Sequence, residues 1–174
     1  MYRIINDYKS QYIVIASRPG NGKTSTILEN IKDDLLNDKK VLFFSLENSK
    51  DSIIKQTKFS NLDNLIILDN PIEDINDIKN SIIQYNPDIV YIDYIDLLPN
   101  VDGANEYFHK LSIDYNISVV VAHNISIEND NYDISTITIE EFCKINGSSM
   151  IDKADKYYLL YINDRRNLKI RRLK

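Results

Sequence analysis

The sequence predicts an α/β fold in which a mainly parallel β-sheet is covered by helices. Short apolar runs rich in Ile, Val and Leu alternate along the chain with stretches whose apolar residues recur at helical spacing. This alternation is typical of parallel sheets, because each crossover between parallel strands leaves room for a helix. The runs are continuously apolar, as expected of strands buried on both faces. No change in composition marks a linker, so we expect one domain over residues 1–174.

Five apolar runs predict the strands of the parallel sheet. They are Tyr12–Ala16, Val41–Leu46, Leu65–Leu68, Ile89–Ile92 and Ser118–Ala122. Two later runs, Lys156–Ile162 and Leu168–Leu173, are separated by a short polar segment. That spacing predicts a C-terminal β-hairpin.

Four stretches between these strands have helical periodicity. They are Thr24–Leu36, Ser52–Phe59, Ile72–Tyr85 and Ala104–Tyr115. The third helix should end before Asn86-Pro87, because a residue that precedes proline avoids the α region. We expect a polar loop between the fifth strand and the hairpin.

Composition and charge exclude several classes of protein. The chain has 174 residues, of which 43% are hydrophobic and 27% charged, as in ordinary soluble domains. The net charge of -5 argues against a general nucleic-acid binder, which normally carries a basic face. The sequence has no long apolar run and no signal-peptide pattern, and its single cysteine, Cys143, cannot form an internal disulfide. We therefore expect a cytoplasmic protein without a membrane span.

The segment after the first predicted strand carries the strongest functional signal. It reads Ser17, Arg18, Pro19, Gly20, Asn21, Gly22, Lys23, Thr24, Ser25 and leads into the first helix. A glycine-rich loop between a strand and a helix predicts a phosphate-binding loop, because backbone N–H groups and the helix dipole attract phosphate. Lys23 would reach the β- and γ-phosphates, and the Thr24 hydroxyl would hold Mg²⁺. The cofactors expected are ATP and Mg²⁺, although Ser17 stands where the usual pattern has glycine.

Polar residues at three other strand ends complete the candidate site. Asp93 follows the fourth strand, which we expect beside the first strand, and would contact Mg²⁺ through water. Glu47 follows the second strand and would polarise the attacking water, although a surface glutamate opening a turn fits equally well. His123 ends the fifth strand and would hydrogen-bond the γ-phosphate, although a lone histidine there is more often structural.

These motifs together resemble the DnaB-type replicative helicases, whose ATPase domain is RecA-like. Ser17–Thr24 is similar to the family's loop with Arg-Pro and GKT, which accepts a small first residue. The other similar segments are Val41–Glu47, which ends in Phe-Ser-Leu-Glu, Ile92–Leu98, which resembles the Walker B segment, and Gly147-Ser148 with Ala154-Asp155. The resemblance extends from about Tyr12 to the C-terminus. It implies a RecA-like P-loop NTPase in which Glu47 activates water, Asp93 belongs to Walker B and His123 takes the sensor position.

Several features depart from the family pattern. Only residues 1–11 precede the first predicted strand, so we expect neither the family's N-terminal domain nor its linker helix. The segment Pro99–Gly103 is short for a DNA-contacting loop, and residues 125–137 carry Glu128, Asp130 and Asp133 but no Lys or Arg. Such a loop repels DNA phosphates. Lys174 matches the lysine of the family's Lys-x-Arg finger pair without its arginine, so we expect slow hydrolysis unless another protein supplies one.

Three functions remain open from the sequence. The first is an ATP-hydrolysing helicase core acting in DNA replication, self-associated into a ring on single-stranded DNA. The second is a truncated paralogue that binds nucleotide and modulates a helicase or recombinase hexamer without unwinding DNA. The third, a small-molecule kinase, is the least favoured because Arg165 and Arg166 in a short hairpin would make a poor phosphate-closing lid.

Overall fold

The core of the molecule is a seven-stranded sheet. The computed structural model describes residues 4, 9–57, 59, 62–99, 103–125, 134–163 and 167–174. The strands in these ranges are β1 (Gln11–Ser17), β2 (Val41–Ser45), β3 (Leu65–Leu68), β4 (Ile89–Asp93), β5 (Ser118–Asn124), β6 (Lys156–Ile162) and β7 (Leu168–Arg172). Their order across the sheet is β3-β2-β4-β5-β1-β6-β7. All neighbours pair in parallel except β6 and β7, which form the predicted antiparallel hairpin.

Helices cover both faces of this sheet. The helices are α1 (Lys23–Leu36), α2 (Lys50–Thr57), α3 (Asn76–Tyr85), α4 (Ala104–Asp114), α5 (Ile139–Asn146) and α6 (Ser149–Lys153), with a 3₁₀ turn at Ile95–Leu97. The α/β fold with a mainly parallel sheet and flanking helices is therefore confirmed. No helix within the described ranges is long and apolar enough to cross a membrane.

Alternation along each strand explains why both faces need cover. In β1, Tyr12, Val14 and Ala16 belong to one buried cluster, whereas Ile13 and Ile15 belong to the other. Successive side chains of a strand point to opposite faces, so a continuously apolar strand requires apolar partners on both. The first cluster is closed by α3, α4, α5 and α6, and the second by α1 and α2.

The strand order differs from the expectation in one respect. We predicted β4 to lie beside β1, but β5 lies between them and pairs with both. The expectation was wrong because chain order and local pattern do not specify where a crossover returns to the sheet. Helix α1 spans the intervening strand, since it packs against β4 as well as β1.

The expected polar loop after β5 was also wrong for part of its length, because it contains α5 and α6. A capping box opens α5: the Thr138 side chain accepts from the Glu141 N–H while the Glu141 carboxylate accepts from the Thr138 N–H. Phe142 and Ile151 are buried against the sheet, which explains why both helices form. Residues 126–133, with the acidic residues Glu128, Asp130 and Asp133, lie outside the described part of the chain, as do 100–102 and the Arg165–Arg166 pair.

Candidate functional site

The glycine-rich segment forms a tight loop at the carboxyl end of β1. Strand β1 ends at Ser17 and α1 begins at Lys23, so the loop comprises residues 18–22. The Asn21 N–H donates to the Arg18 carbonyl, which closes a turn. Gly22, with φ of 82°, is the residue that precedes α1, and this left-handed conformation strains any residue with a side chain. The loop therefore turns the chain directly into the amino end of α1, whose first N–H groups have no acceptors within the helix.

Lys23 uses its side chain within this loop. Its Nζ donates to Asn124 Oδ1 at 2.6 Å, to Ser17 Oγ at 3.2 Å and to the Arg18 carbonyl at 3.5 Å. Only 7% of the residue is exposed. Burial lowers the pKa of Lys23, and the negative charges of Asp93, Asp96 and Glu47 oppose that shift. An ammonium has three donors, so each one already has an acceptor.

Thr24 and Asp93 meet across the sheet. The Thr24 hydroxyl donates to Asp93 Oδ2 at 2.6 Å, although β5 separates the strands from which they come. Asp93 is 1% exposed, and its Oδ1 is buried without a hydrogen-bond partner among the described residues. Burial raises the pKa of Asp93, the Glu47 charge adds to this, and the Thr24 hydrogen bond and Lys23 oppose it.

This arrangement fits a magnesium-bound nucleotide. A buried carboxylate oxygen without a partner is costly, and a bound cation or its water would satisfy it. The described residues contain no cluster of three or more His, Cys, Asp or Glu side chains that could hold a metal alone. Mg²⁺ normally keeps several waters and takes one or two protein ligands together with phosphate oxygens, which matches Thr24 and Asp93.

A cavity of about 340 Å³ lies in front of these residues. Its lining includes most of the loop and the start of α1, together with residues after β2, β4 and β5: Pro19, Gly20, Gly22, Lys23, Thr24, Ser25, Glu47, Tyr94 and Asn124. The carboxyl ends of parallel strands meet at one edge of a sheet, so these chemically different groups face one space. Glu47 is exposed at the rim, where its carboxylate can contact water.

The remaining loop residues support this space rather than face it. Ser17 is fully buried, and its hydroxyl donates to the Arg18 carbonyl while accepting from Lys23. Arg18 Nε is buried without a hydrogen-bond partner in the described ranges. Asn21 is half-buried in the turn. The loop predicted from the sequence is thus brought together with Glu47 and Asp93, whereas one predicted residue faces elsewhere.

That residue is His123. It is not among the residues that line the cavity, and its Nδ1 lies 2.9 Å from Asp96 Oδ1, close enough for an ion pair but without a well-aligned hydrogen bond. Its neighbour Asn124 faces the cavity instead, because adjacent side chains of a strand point in opposite directions. The sequence reasoning missed Asn124, Asp96 and Tyr94. The alternation of β5, counted from its buried residues, leaves His123 and Asn124 on opposite faces, but it does not say which face holds the loop.

Comparison with known proteins agrees with this fold. The family model described as the DnaB-like helicase C terminal domain matches residues 7–63, about a third of the chain, from β1 through α2. This match includes the glycine-rich loop and Glu47. The resemblance to DnaB-like helicases inferred from the sequence is therefore confirmed. No curated protein matches the chain.

Solved structures match over nearly the whole chain. One is the ATPase domain of a DnaB-like helicase, with a TM-score of 0.79 and 21% identity over 96% of this chain and 78% of that one. Another shows a DnaB-like replicative helicase and its interactions with primase, with a TM-score of 0.75 and 19% identity. The match covers 95% of this chain and 56% of that helicase. These similarities identify the RecA-like ATPase fold.

Proposed function

We propose that residues 1–174 form one nucleotide-binding domain, the core of a DnaB-like helicase that binds ATP with Mg²⁺ and hydrolyses it in DNA replication. The observation that carries this proposal is the Thr24–Asp93 contact beside Lys23. A hydroxyl, a buried carboxylate with one unpartnered oxygen and a lysine face one cavity at the amino end of a helix. Few ligands other than a magnesium-bound polyphosphate would satisfy all of them at once.

Each residue has a defined role in this proposal. The backbone N–H groups of the loop and Lys23 bind the phosphates, whereas Thr24 and Asp93 hold the metal, with Asp93 acting through water. The bound Mg²⁺ would neutralise charge on the β- and γ-phosphates. The buried position of Asp93 keeps this pair fixed relative to α1.

Hydrolysis requires a water molecule placed in line with the γ-phosphate. Glu47 lines the cavity from the end of β2, opposite the loop, and its exposed carboxylate is free to orient that water and accept its proton. Water then adds to the γ-phosphorus as the bond to the β-phosphate oxygen breaks, giving ADP and phosphate. We assign the γ-phosphate contact predicted for His123 to Asn124, whose amide faces the cavity.

Light scattering and phosphate release on the same samples test this function. The protein is measured with and without ATP, Mg²⁺ and a single-stranded oligonucleotide. Ring-sized particles that release phosphate faster with the oligonucleotide support a helicase motor. Glu47→Gln should stop phosphate release, whereas Glu29→Gln, an exposed glutamate of α1, is the matched control. Phosphate release at the wild-type rate by Glu47→Gln would refute the role of Glu47.

One contact favours the alternative function, a paralogue that modulates a helicase or recombinase hexamer. Lys174 matches the lysine of the family's finger pair, but its Nζ donates to the carbonyls of Ile151 and Asp152 in its own chain. A lysine held in this way is not directed at a neighbouring subunit. Monomers that bind ATP, release no phosphate and bind a purified replicative helicase would support the modulator and refute the motor.

A further inference from the structure

Asp96 connects two segments of the site that the sequence does not relate. It lies in the 3₁₀ turn after β4, and its Oδ2 accepts the backbone N–H of Asn124 at 3.0 Å, while its Oδ1 lies beside the His123 ring. Burial raises the pKa of Asp96, but the contacts with His123 and with the Asn124 N–H outweigh burial and hold it below its ordinary value. The carboxylate is therefore ionised at neutral pH and ties the end of β5 to the turn after β4.

The residue that Asp96 holds in place contacts the loop lysine. Asn124 Oδ1 accepts from Lys23 Nζ at 2.6 Å, the shortest of the three hydrogen bonds of that ammonium. Of the three acceptors, only Asn124 lines the cavity. A phosphate oxygen that enters the cavity and binds Lys23 therefore replaces Asn124 first.

We propose that Asp96 is a positioning residue that holds Asn124 on Lys23, so that Asn124 occupies the lysine until a phosphate group displaces it. This inference rests on the proposed nucleotide site. A contact that exists only in the free protein lowers the affinity for ligand by the free energy of that contact. Loosening Asn124 should thus tighten the binding of a nucleotide, whereas general damage to the site would weaken it.

The two functions of Asn124 are separable with a diphosphate. With ADP there is no γ-phosphate, so Asn124 acts only as a competitor for Lys23. With ATP, Asn124 also contacts the γ-phosphate, so its removal should slow hydrolysis. Asn124→Ala is accordingly expected to bind ADP about tenfold more tightly, as for loss of a hydrogen bond to a charged group, and to hydrolyse ATP more slowly.

Two substitutions of Asp96 distinguish positioning from charge. Asp96→Ala removes both the acceptor for the Asn124 N–H and the negative charge near Lys23. Asp96→Asn removes the charge but keeps an oxygen that can accept the same N–H. If Asp96 acts through Asn124, Asp96→Ala tightens ADP binding several-fold and Asp96→Asn changes it much less.

The deciding experiment is a double-mutant cycle on ADP affinity, measured by calorimetry with Mg²⁺ present. The proposal expects the double variant Asp96→Ala, Asn124→Ala to bind ADP no more tightly than Asn124→Ala alone. Equal gains from Asp96→Ala in both backgrounds, or equal effects of Asp96→Ala and Asp96→Asn, would overturn it. Weaker ADP binding by both single variants would also overturn it. A wild-type protein that binds no nucleotide would instead refute the proposed function itself.

Discussion

Asp93 should make the free protein less stable and the nucleotide-bound protein more stable. It is 1% exposed, burial raises its pKa, and one of its oxygens has no hydrogen-bond partner in the described part of the chain. Asp93→Asn keeps an oxygen that can accept from the Thr24 hydroxyl and removes the buried charge. We expect the free variant to be about 1 kcal/mol more stable than the wild type at pH 8, or about 2–4 °C in Tm.

The pH dependence follows from the direction of the shift. Because the folded protein binds this proton more tightly than the unfolded chain, the free energy of unfolding falls as pH rises from 3.8 through the raised pKa. The variant lacks that loss. Its advantage should therefore be absent below pH 3.8 and fully developed above the raised pKa.

Ligand should reverse the order of stability. A ligand at 100 times its Kd stabilises a protein by about 2.7 kcal/mol, which corresponds to about 5–11 °C for a domain of this size. Magnesium ADP should raise the Tm of the wild type by that amount and raise that of Asp93→Asn far less.

Thermal unfolding followed by circular dichroism, at several pH values with and without magnesium ADP, measures both effects. Asp63→Asn, an exposed carboxyl group, is the control and should behave as the wild type. A free Asp93→Asn variant less stable than the wild type at pH 8, or equal stabilisation of both by magnesium ADP, would refute this reasoning.

Two further predictions concern residues around the same site. Glu47→Gln should bind magnesium ATP with wild-type affinity and lose hydrolysis, because it keeps the shape of the side chain but cannot accept a proton; calorimetry and single-turnover phosphate release measure the two, and weak binding would contradict a purely catalytic role. Tyr91→Phe removes the 2.6 Å hydrogen bond from the buried Tyr91 hydroxyl to Asp34, which joins β4 to α1. Urea unfolding should show a loss of about 1.5–3 kcal/mol, against a much smaller loss for the half-buried Tyr85→Phe, and equal losses would contradict the importance of this link.

Local signals in the sequence were sufficient for most of the fold. Continuous apolar runs such as Leu65–Leu68 coincide with strands, and α3 ends at Tyr85 with Asn86 in a left-handed conformation before proline, as the dipeptide predicts. The glycine-rich loop was recognisable because its function requires particular residues in consecutive positions. The beginning of α3 was misjudged, since the helix starts at Asn76 rather than Ile72.

The features that were missed depend on long-range geometry. The insertion of β5 between β1 and β4 is decided by crossovers that leave no local pattern. The reversal of His123 and Asn124 depends on which face of β5 meets the loop, a relation between residues a hundred positions apart in the chain. Helix α5 is different, because Thr138 and Glu141 form a T-x-x-E capping signal that was present in the sequence and was overlooked.

The central claim is that Lys23 and the loop before it bind the phosphates of a nucleotide. Calorimetric titration of magnesium ATP into the wild type, Lys23→Ala and Lys32→Ala tests it most directly, because Lys32 is an α1 lysine that does not line the cavity. We predict binding of one nucleotide by the wild type and by Lys32→Ala, with Lys23→Ala weaker by about a hundredfold or more, as for a buried charged contact. Tight binding by Lys23→Ala, or the absence of binding by the wild type, would contradict the claim.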